Sequence, residues 1–267
     1  AEVSPPMAGG RPLKILLAED NLANQKLAVG VLSRQGHSVT VAESGRAVLR
    51  AWESQPFDVI LMDVQMPEMD GLEASRAIRQ LEQRTGAHIP IVAMTAHAMS
   101  GDRERCIAAG MDEYLSKPIR ARQIAEKLSS IFPRSTETPQ PSDVSQSRSA
   151  SASLVDWGQA LEGIEGDRQL LADVIKTFLE TLPESIAAID TSIRDQQAVA
   201  LERHAHSLKG ELMALGATAA SKVALRLEML AREKQLAATG PVFLELRQQL
   251  TDLQEPLTAF CEEFGSQ

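Results

Sequence analysis

Three carboxylates of this 267-residue chain follow short apolar runs, where a parallel sheet would bring them together. Glu19 and Asp20 come after the run at 13–18, and Asp63 comes after the run at 58–62. Open parallel sheets bind ligands at the carboxyl ends of their strands, so we expect these side chains at one edge. Carboxylates this near to one another repel unless a cation neutralises them. A site whose ligands are all oxygen atoms suits Mg²⁺.

A hydroxyl and an ammonium group occur after two further apolar runs. Thr95 follows the run at 90–94, and Lys117 follows the run at 113–115. Phosphoryl transfer uses a carboxylate nucleophile, a divalent cation, an ammonium and a hydroxyl to neutralise charge and hold the phosphoryl oxygens. The pattern therefore predicts a phosphoryl-transfer site at this edge.

His206 is the second candidate, in a predicted helix over 197–213. At about 100° per residue, it faces away from the helix's apolar stripe. The stripe consists of Leu201, Ala205, Leu208, Leu212 and Leu215. Lys209 and Gly210 lie beside the histidine, where Lys209 offers a cation and Gly210 opens room for an approaching protein. Glu202, one turn earlier, is a candidate to hydrogen-bond one ring nitrogen. Without further context, such a histidine is an ordinary surface residue.

The elements that must position the first site alternate along residues 13–131. The predicted strands are 13–18, 38–42, 58–62, 90–94 and 113–115. The predicted helices lie near 22–35, 44–53, 72–83, 101–109 and 120–131. Strands alternating with helices predict an α/β fold with a five-stranded parallel sheet that is covered on both faces.

The elements around the second site have a different period. Between 154 and 267, apolar residues recur every three or four positions, which predicts an antiparallel four-helix bundle after a short helix. These helices are predicted near 156–162, 167–194, 197–213, 217–233 and 241–263. Residues 132–153 are rich in Ser, Thr and Pro and predict a flexible linker, and residues 1–12 also have the composition of a linker.

The composition excludes several classes of protein. Aromatic residues make up 3%, too few for a sugar-binding or RNA-stacking surface. The net charge of −9, without a basic recognition helix, argues against nucleic acid as a partner and against a DNA-binding output domain. Cys106 and Cys261 lack the spacing of a zinc site.

The sequence also bears on where the chain works. No apolar run is long enough to span a bilayer, and no signal peptide opens the chain. We expect a cytoplasmic location, without direct membrane contact. We also expect the chain to be part of a longer protein, for which an anchor in a bacterial inner membrane remains an open alternative.

Residues 13–131 resemble a response-regulator receiver domain, which has a flavodoxin-like fold. The resemblance rests on the segments LLAEDNLANQKL, DVILMDVQMPEMDGLEASRAIR, IPIVAMTAHA and GMDEYLSKPI. It implies that Asp63 is the phosphoacceptor. It also implies a site for Mg²⁺ or Mn²⁺ formed by Glu19, Asp20, Asp63 and the backbone carbonyl of Gln65.

The same resemblance implies roles for four residues around the acceptor. Lys117 contacts the phosphoryl group, and Thr95 and Tyr114 act as the switch residues. Pro118 supports the site, since it follows Lys117 where such domains commonly have a cis peptide bond.

Residues from about 154 to 264 resemble a histidine-containing phosphotransfer (HPt) domain. The resemblance rests on AHSLKGELMALGA, an HxLKG segment followed by a Gly-Ala turn. It implies that His206 is phosphorylated, with Lys209 and Gly210 in supporting positions. Glu211 departs from the family, which usually has a small residue there. We expect this departure to leave the chemistry intact and to alter the docking of partners.

The order of the two domains resembles the C-terminal part of a hybrid sensor histidine kinase. This implies a phosphorelay: a kinase domain of the same parent chain phosphorylates Asp63, Asp63 exchanges the group with His206, and His206 passes it to a downstream response regulator. We find no glycine-rich nucleotide lid, so we expect no labelling of this chain from ATP alone. In the alternative, the receiver is a conformational switch that regulates a kinase, and the bundle is a docking module or a reverse phosphate sink. Transfer within one chain and transfer between chains both remain open.

Overall fold

The computed structural model describes residues 11–95, 100–132 and 154–265. The predicted linkers at 1–12 and 132–153 lie almost wholly outside the described residues.

The first part of the chain forms a five-stranded parallel sheet in the order β2-β1-β3-β4-β5. The strands are β1 (Lys14–Ala18), β2 (Ser38–Ala42), β3 (Val59–Asp63), β4 (Ile91–Thr95) and β5 (Glu113–Ser116). The central strands β1 and β3 are almost entirely buried, as their lack of polar alternation predicts. This order places the carboxyl ends of β1 and β3 side by side.

Five helices cover the sheet. They are α1 (Leu22–Arg34), α2 (Gly45–Ser54), α3 (Gly71–Thr85), α4 (Ser100–Ala108) and α5 (Ala121–Ile131). Asn21, Ser44 and Asp70 cap α1, α2 and α3 with their side-chain oxygens, so each helix begins at a fixed residue after the loop. Helix α1 therefore starts directly behind the acidic pair Glu19 and Asp20.

The second part of the chain is a helical bundle. Its helices are α6 (Trp157–Glu162), α7 (Arg168–Arg194), α8 (Ala198–Ala214), α9 (Thr218–Arg232) and α10 (Thr239–Phe264). The predicted apolar stripe of α8 is buried in the bundle, including Leu201 and Leu212 at 0% exposure. The predicted fold class is confirmed, and the predicted strands and helices begin and end within two residues of those in the structure. No helix in the described ranges combines the length and apolar character needed to cross a bilayer.

The bundle packs against the sheet domain through α1, which lies along α7. Buried apolar side chains of both parts form one continuous cluster. Gly30 of α1 allows the close approach, because a Cβ at this position would collide with the side chain of Leu170 on α7. Arg34 pairs with Asp167 across the contact. The two candidate sites therefore belong to surfaces that face each other.

Candidate functional site

The first site lies where β1 and β3 end. Carboxylate oxygens of Glu19, Asp20 and Asp63 all lie within 4.8 Å of one another. Lys117 Nζ donates to Glu19 Oε2 and to Asp63 Oδ2, each at 2.6 Å. Glu19, Asp63 and Lys117 are buried, whereas Asp20 is partly exposed. The structure thus brings together the acidic residues and the lysine that the sequence predicted.

Negative charge exceeds positive charge in this cluster. Burial raises the pKa of Asp63 to about 7, and Glu19 adds to the rise while Lys117 opposes it. Burial and the neighbouring Glu19 raise the pKa of Asp20 to about 6. Burial alone would lower the pKa of Lys117, but Asp63 and Glu19 raise it above its ordinary value. One ammonium does not balance three carboxylates, so the cluster fits a divalent cation that prefers oxygen ligands.

Neighbouring polar groups fix the orientation of these carboxylates. Asn24 Nδ2 donates to Glu19 Oε1 at 2.9 Å, and Gln25 Nε2 donates to the backbone carbonyl of Glu19 at 2.8 Å. The backbone amide of Gln65 donates to Asp63 Oδ1 at 3.1 Å, so the peptide predicted to hold the metal lies beside the acceptor. In the described part of the chain, the side-chain Oε1 of Gln65 is buried without a hydrogen-bond partner.

The remaining predicted residues surround this edge. Thr95 ends β4 and lines the same cavity as Asp63. The peptide bond between Lys117 and Pro118 is cis. Tyr114 lies on β5 with 36% of its surface exposed, and its ring contacts the cationic groups of Arg103 and Lys127. In the sheet, Tyr114 pairs with Ala93 of β4, two residues before Thr95.

The second site is a charged triad inside the bundle. His206 Nδ1 lies 3.0 Å from Oε1 of Glu228, which belongs to α9 and has no exposed surface. Lys209 Nζ donates to Glu228 Oε2 at 2.6 Å and lies 3.4 Å from His206 Nδ1. The prediction that Glu202 holds the ring is wrong. Glu202 instead accepts from Arg232 Nε at 2.8 Å, because its own position on α8 points toward that exposed side chain.

The protonation of the triad follows from burial and pairing. Burial lowers the pKa of His206, although the hydrogen bond to Glu228 opposes this. Burial would raise the pKa of Glu228, but His206 and Lys209 hold it at about 2. Glu228 is therefore a carboxylate near neutral pH and the imidazole is uncharged, so the shared proton belongs to Nδ1. The nitrogen able to act as a nucleophile is then Nε2.

The two sites face each other across a narrow cavity. Its walls include Asp63 and Lys117 from the sheet domain and His206 and Arg203 from α8. His206 was predicted to lie on the surface, but only 8% of it is exposed, because its ring lies between Glu228 of α9 and the cavity that the sheet domain closes. Arg203, one turn before His206, was not predicted. Its charge lowers the pKa of Asp20, so it acts across the cavity.

Gly210 and Glu211 form the edge of α8 that contacts α1. A Cβ on Gly210 would lie 3.7 Å from Asn24 Nδ2, so the room that we predicted beside the histidine is next to the sheet domain. Glu211 is 2% exposed, and its Oε1 accepts from Asn21 Nδ2. The sequence analysis predicted that Glu211 alters the docking of partners, but it did not predict Asn21 as its partner.

Two family models match the chain. The model for the response regulator receiver domain matches residues 15–129, and the model for the Hpt domain matches residues 173–256. A solved structure of the receiver domain of sensor histidine kinase PA1611 from Pseudomonas aeruginosa, with a magnesium ion coordinated in its active site cleft, is 41% identical to this chain. It covers 45% of this chain and 96% of that one, with a TM-score of 0.41.

Two similar curated proteins align over both domains. Sensor protein GacS of Pseudomonas syringae is 33% identical over 236 residues, which is 87% of this chain and 26% of GacS. Signal transduction histidine-protein kinase BarA of Escherichia coli is 33% identical over 205 residues, which is 74% of this chain and 22% of BarA. The chain thus spans about a quarter of the length of these relatives. It consists of a response regulator receiver domain followed by an Hpt domain, the components of phosphorelay signal transduction, and the relatives that it matches over both domains are hybrid sensor histidine kinases.

Proposed function

We propose that this chain moves a phosphoryl group between Asp63 of its receiver domain and His206 of its own Hpt domain. The observation that carries the proposal is the cavity whose walls include both residues. A nucleophile and a phosphoryl donor that line the same cavity react without the entropy cost of a new encounter. The docked arrangement favours transfer within one chain.

In the receiver, the acidic cluster would hold Mg²⁺ or Mn²⁺. Its ligands would be the carboxylates of Glu19, Asp20 and Asp63, with the backbone carbonyl of Gln65. The bound ion supplies neutralisation of the charge on the phosphoryl oxygens. Lys117 adds an ammonium beside the acceptor oxygen, and the Thr95 hydroxyl is positioned to donate to a phosphoryl oxygen. Tyr114 completes the switch, and the cis peptide at Pro118 directs the chain after Lys117.

Transfer to the bundle forms one bond and breaks another. The lone pair of His206 Nε2 forms a bond to phosphorus while the bond from phosphorus to the Asp63 oxygen breaks, and its electrons return to the Asp63 carboxylate. The ring gains positive charge, which Glu228 stabilises through the proton on Nδ1. Lys209 holds Glu228 in place, and Gly210 leaves space for the receiver. The guanidinium of Arg203 would donate hydrogen bonds to the phosphoryl oxygens during transfer.

The partners follow from this chemistry. A phosphohistidine of a histidine kinase domain, in the parent chain, is the proposed donor to Asp63. The proposed acceptor from His206 is the aspartate of a downstream response regulator receiver. GacS and BarA are named as a sensor protein and a signal transduction kinase, which supports this assignment. A cytoplasmic location is part of the proposal, because both partners need access to the two sites.

The proposal is tested by labelling with acetyl phosphate and Mg²⁺. Phosphoaspartate is lost in base, whereas phosphohistidine survives base and is lost in acid. We expect base-stable label in the unaltered chain, only base-labile label in His206→Gln, and no label in Asp63→Asn. If the unaltered chain gives only base-labile label, the relay is wrong. The receiver would then act as a conformational switch and the bundle as a docking module.

A further inference from the structure

Asn21 lies at the centre of the contact between the two domains. Its Oδ1 accepts from the backbone amide of Asn24 at 3.0 Å, which caps α1. Its Nδ2 donates across the contact, to Ser207 Oγ at 3.2 Å and to Glu211 Oε1. The cap fixes which end of the amide faces the Hpt domain, so the side chain presents only a donor there.

Glu211 depends on this donor. Its carboxyl group is buried, and within the described residues its Oε2 has no hydrogen-bond partner. A buried carboxyl without a donor costs more than a neutral group, because water no longer solvates it. The amide of Asn21 is the hydrogen bond that offsets this cost. Burial raises the pKa of Glu211 to about 8, in agreement with sparse solvation at this position.

Few side chains satisfy both requirements at position 21. An aspartate would cap α1 equally well but would turn a second acceptor toward Glu211. A serine would cap the helix with a shorter side chain and would not span the contact. Asparagine provides an acceptor for the helix and a donor for the Hpt domain at once.

We infer that Glu211 selects among receiver domains by the residue that caps their first helix, accepting asparagine and rejecting aspartate. The surface around Glu211 is then a specificity site for receiver domains, both this chain's own and that of the downstream regulator. The inference rests on the proposed function in one respect: docking serves transfer to His206. A downstream partner is expected to present an amide at the position equivalent to Asn21.

The test uses the full chain in four forms: unaltered, Asn21→Asp, Glu211→Gln, and both changes together. Docking is measured as the rate at which diethyl pyrocarbonate modifies His206, located by mass spectrometry, since undocking exposes this buried ring. At pH 8.5, above the pKa of about 8 of docked Glu211, we expect Asn21→Asp to raise the rate about tenfold, because two buried acceptors then face each other. Glu211→Gln alone should not raise the rate, since its amide oxygen still accepts from Asn21 and its burial requires no proton uptake. The double variant should return to within about threefold of the unaltered chain, because a glutamine amide donates to the new carboxylate.

Gln83→Glu is the matched control, since it adds the same charge to an exposed position on α3. If Asn21→Asp behaves like this control, Glu211 does not discriminate between asparagine and aspartate at position 21. If the double variant stays as reactive as Asn21→Asp, the pairing is also wrong. Helix content by circular dichroism checks that α1 keeps its cap.

The proposed function is followed separately, as base-stable label in the same samples. Loss of that label in the unaltered chain overturns the relay without affecting the docking result. A docking result equal to the control overturns the selection without affecting the relay.

Discussion

The two sites each bury a reactive group beside a lysine, yet only the site around His206 balances its own charges. At the first site, three carboxylates share the single ammonium of Lys117, and burial first, then Glu19, raises the pKa of Asp63. Around His206, the carboxylates of Glu228 and Glu202 pair with Lys209 and Arg232. The receiver therefore has a charge deficit that an added cation corrects, whereas the Hpt site is balanced by its own side chains.

Removal of divalent metal should have the largest effect, and it should affect the receiver site without affecting the Hpt site. With EDTA, we expect the labelling of Asp63 by acetyl phosphate to fall by roughly 100-fold or more, because the carboxylate cluster loses its main neutralising charge. Phosphohistidine already present on His206 should persist, since the groups that contact its ring, Glu228 and Lys209, are not among the proposed metal ligands. The measurement is base-labile and base-stable label before and after chelation, with added Mn²⁺ as the recovery control. Undiminished labelling of Asp63 in EDTA would contradict the comparison.

Neutralising the carboxylate of the triad should have the next largest effect. We expect Glu228→Gln to slow transfer from Asp63 to His206 by about 10- to 100-fold, as for other carboxylates that orient a histidine. The variant should also lower the pKa of His206, because the carboxylate that raises it is gone. Rapid-quench assays and NMR titration of the ring measure the two effects.

Glu202→Gln is the matched control for this change. It removes a carboxylate one turn from His206 that does not contact the ring. We expect its transfer rate within about twofold of the unaltered chain, as for a partly exposed ion pair. Equal slowing in both variants would mean that Glu228 acts only through the overall charge. The thermal stability of both variants should also be measured, because removing the charge of Glu228 leaves Lys209 buried without its counter-ion.

The sequence predicted the receiver site more completely than the Hpt site, for a physical reason. β1 and β3 are continuous apolar runs, and parallel strands bring their carboxyl ends to one edge whatever the details of packing. The positions of Glu19, Asp63 and Lys117 follow from that topology. The partner of His206 instead comes from another helix, and which residues face each other depends on the rotation of α8 against α9. Periodicity within α8 alone pointed to Glu202.

One signal for Glu228 was present in the sequence. It lies among Ala224, Leu227 and Ala231 on the buried face of α9. A carboxylate in an apolar stripe requires a charged partner, and a search for one on neighbouring helices would have considered His206 and Lys209. The contact between α1 and α7 had no comparable signal. Each helix has its own apolar face, and nothing in the period of either indicates which domain it meets.

Docking of the two domains should depend on pH through Glu211, which lies in the contact between them. In the docked chain, burial first, and then Glu19 and Asp20, raise the pKa of Glu211 to about 8 from an ordinary value of 4.5, and the hydrogen bond from Asn21 opposes this. The docked form therefore binds a proton that the undocked form releases. Docking is expected to be strongest at or below pH 4.5, to weaken as the pH rises to about 8, and to level off above it.

This effect is measured as the ratio of His206 modification rates in the unaltered chain and in Glu211→Gln at each pH. We expect the ratio to rise by at least tenfold between pH 5.5 and 8.5, since docking weakens by up to about tenfold for each pH unit between the two pKa values. Titration of the imidazole and of the acidic cluster is common to both chains and cancels in the ratio. A flat ratio would show that Glu211 stays ionised in the contact.

The smallest effect is expected at Gly30, where the two domains approach most closely. Gly30→Ala should stabilise α1 by about 1 kcal/mol, since alanine is the better helix former. Its Cβ would nevertheless collide with the end of the Leu170 side chain, which has to rotate or move away. We expect docking to weaken about threefold, a small effect because this side chain is flexible. Lys26→Ala, at an exposed position of the same helix, is the control and should leave docking unchanged. Pairing Gly30→Ala with Leu170→Ala should restore docking if the two side chains compete for the same space. Weaker docking in the pair than in either single variant would instead mean that Leu170 stabilises the contact through other neighbours.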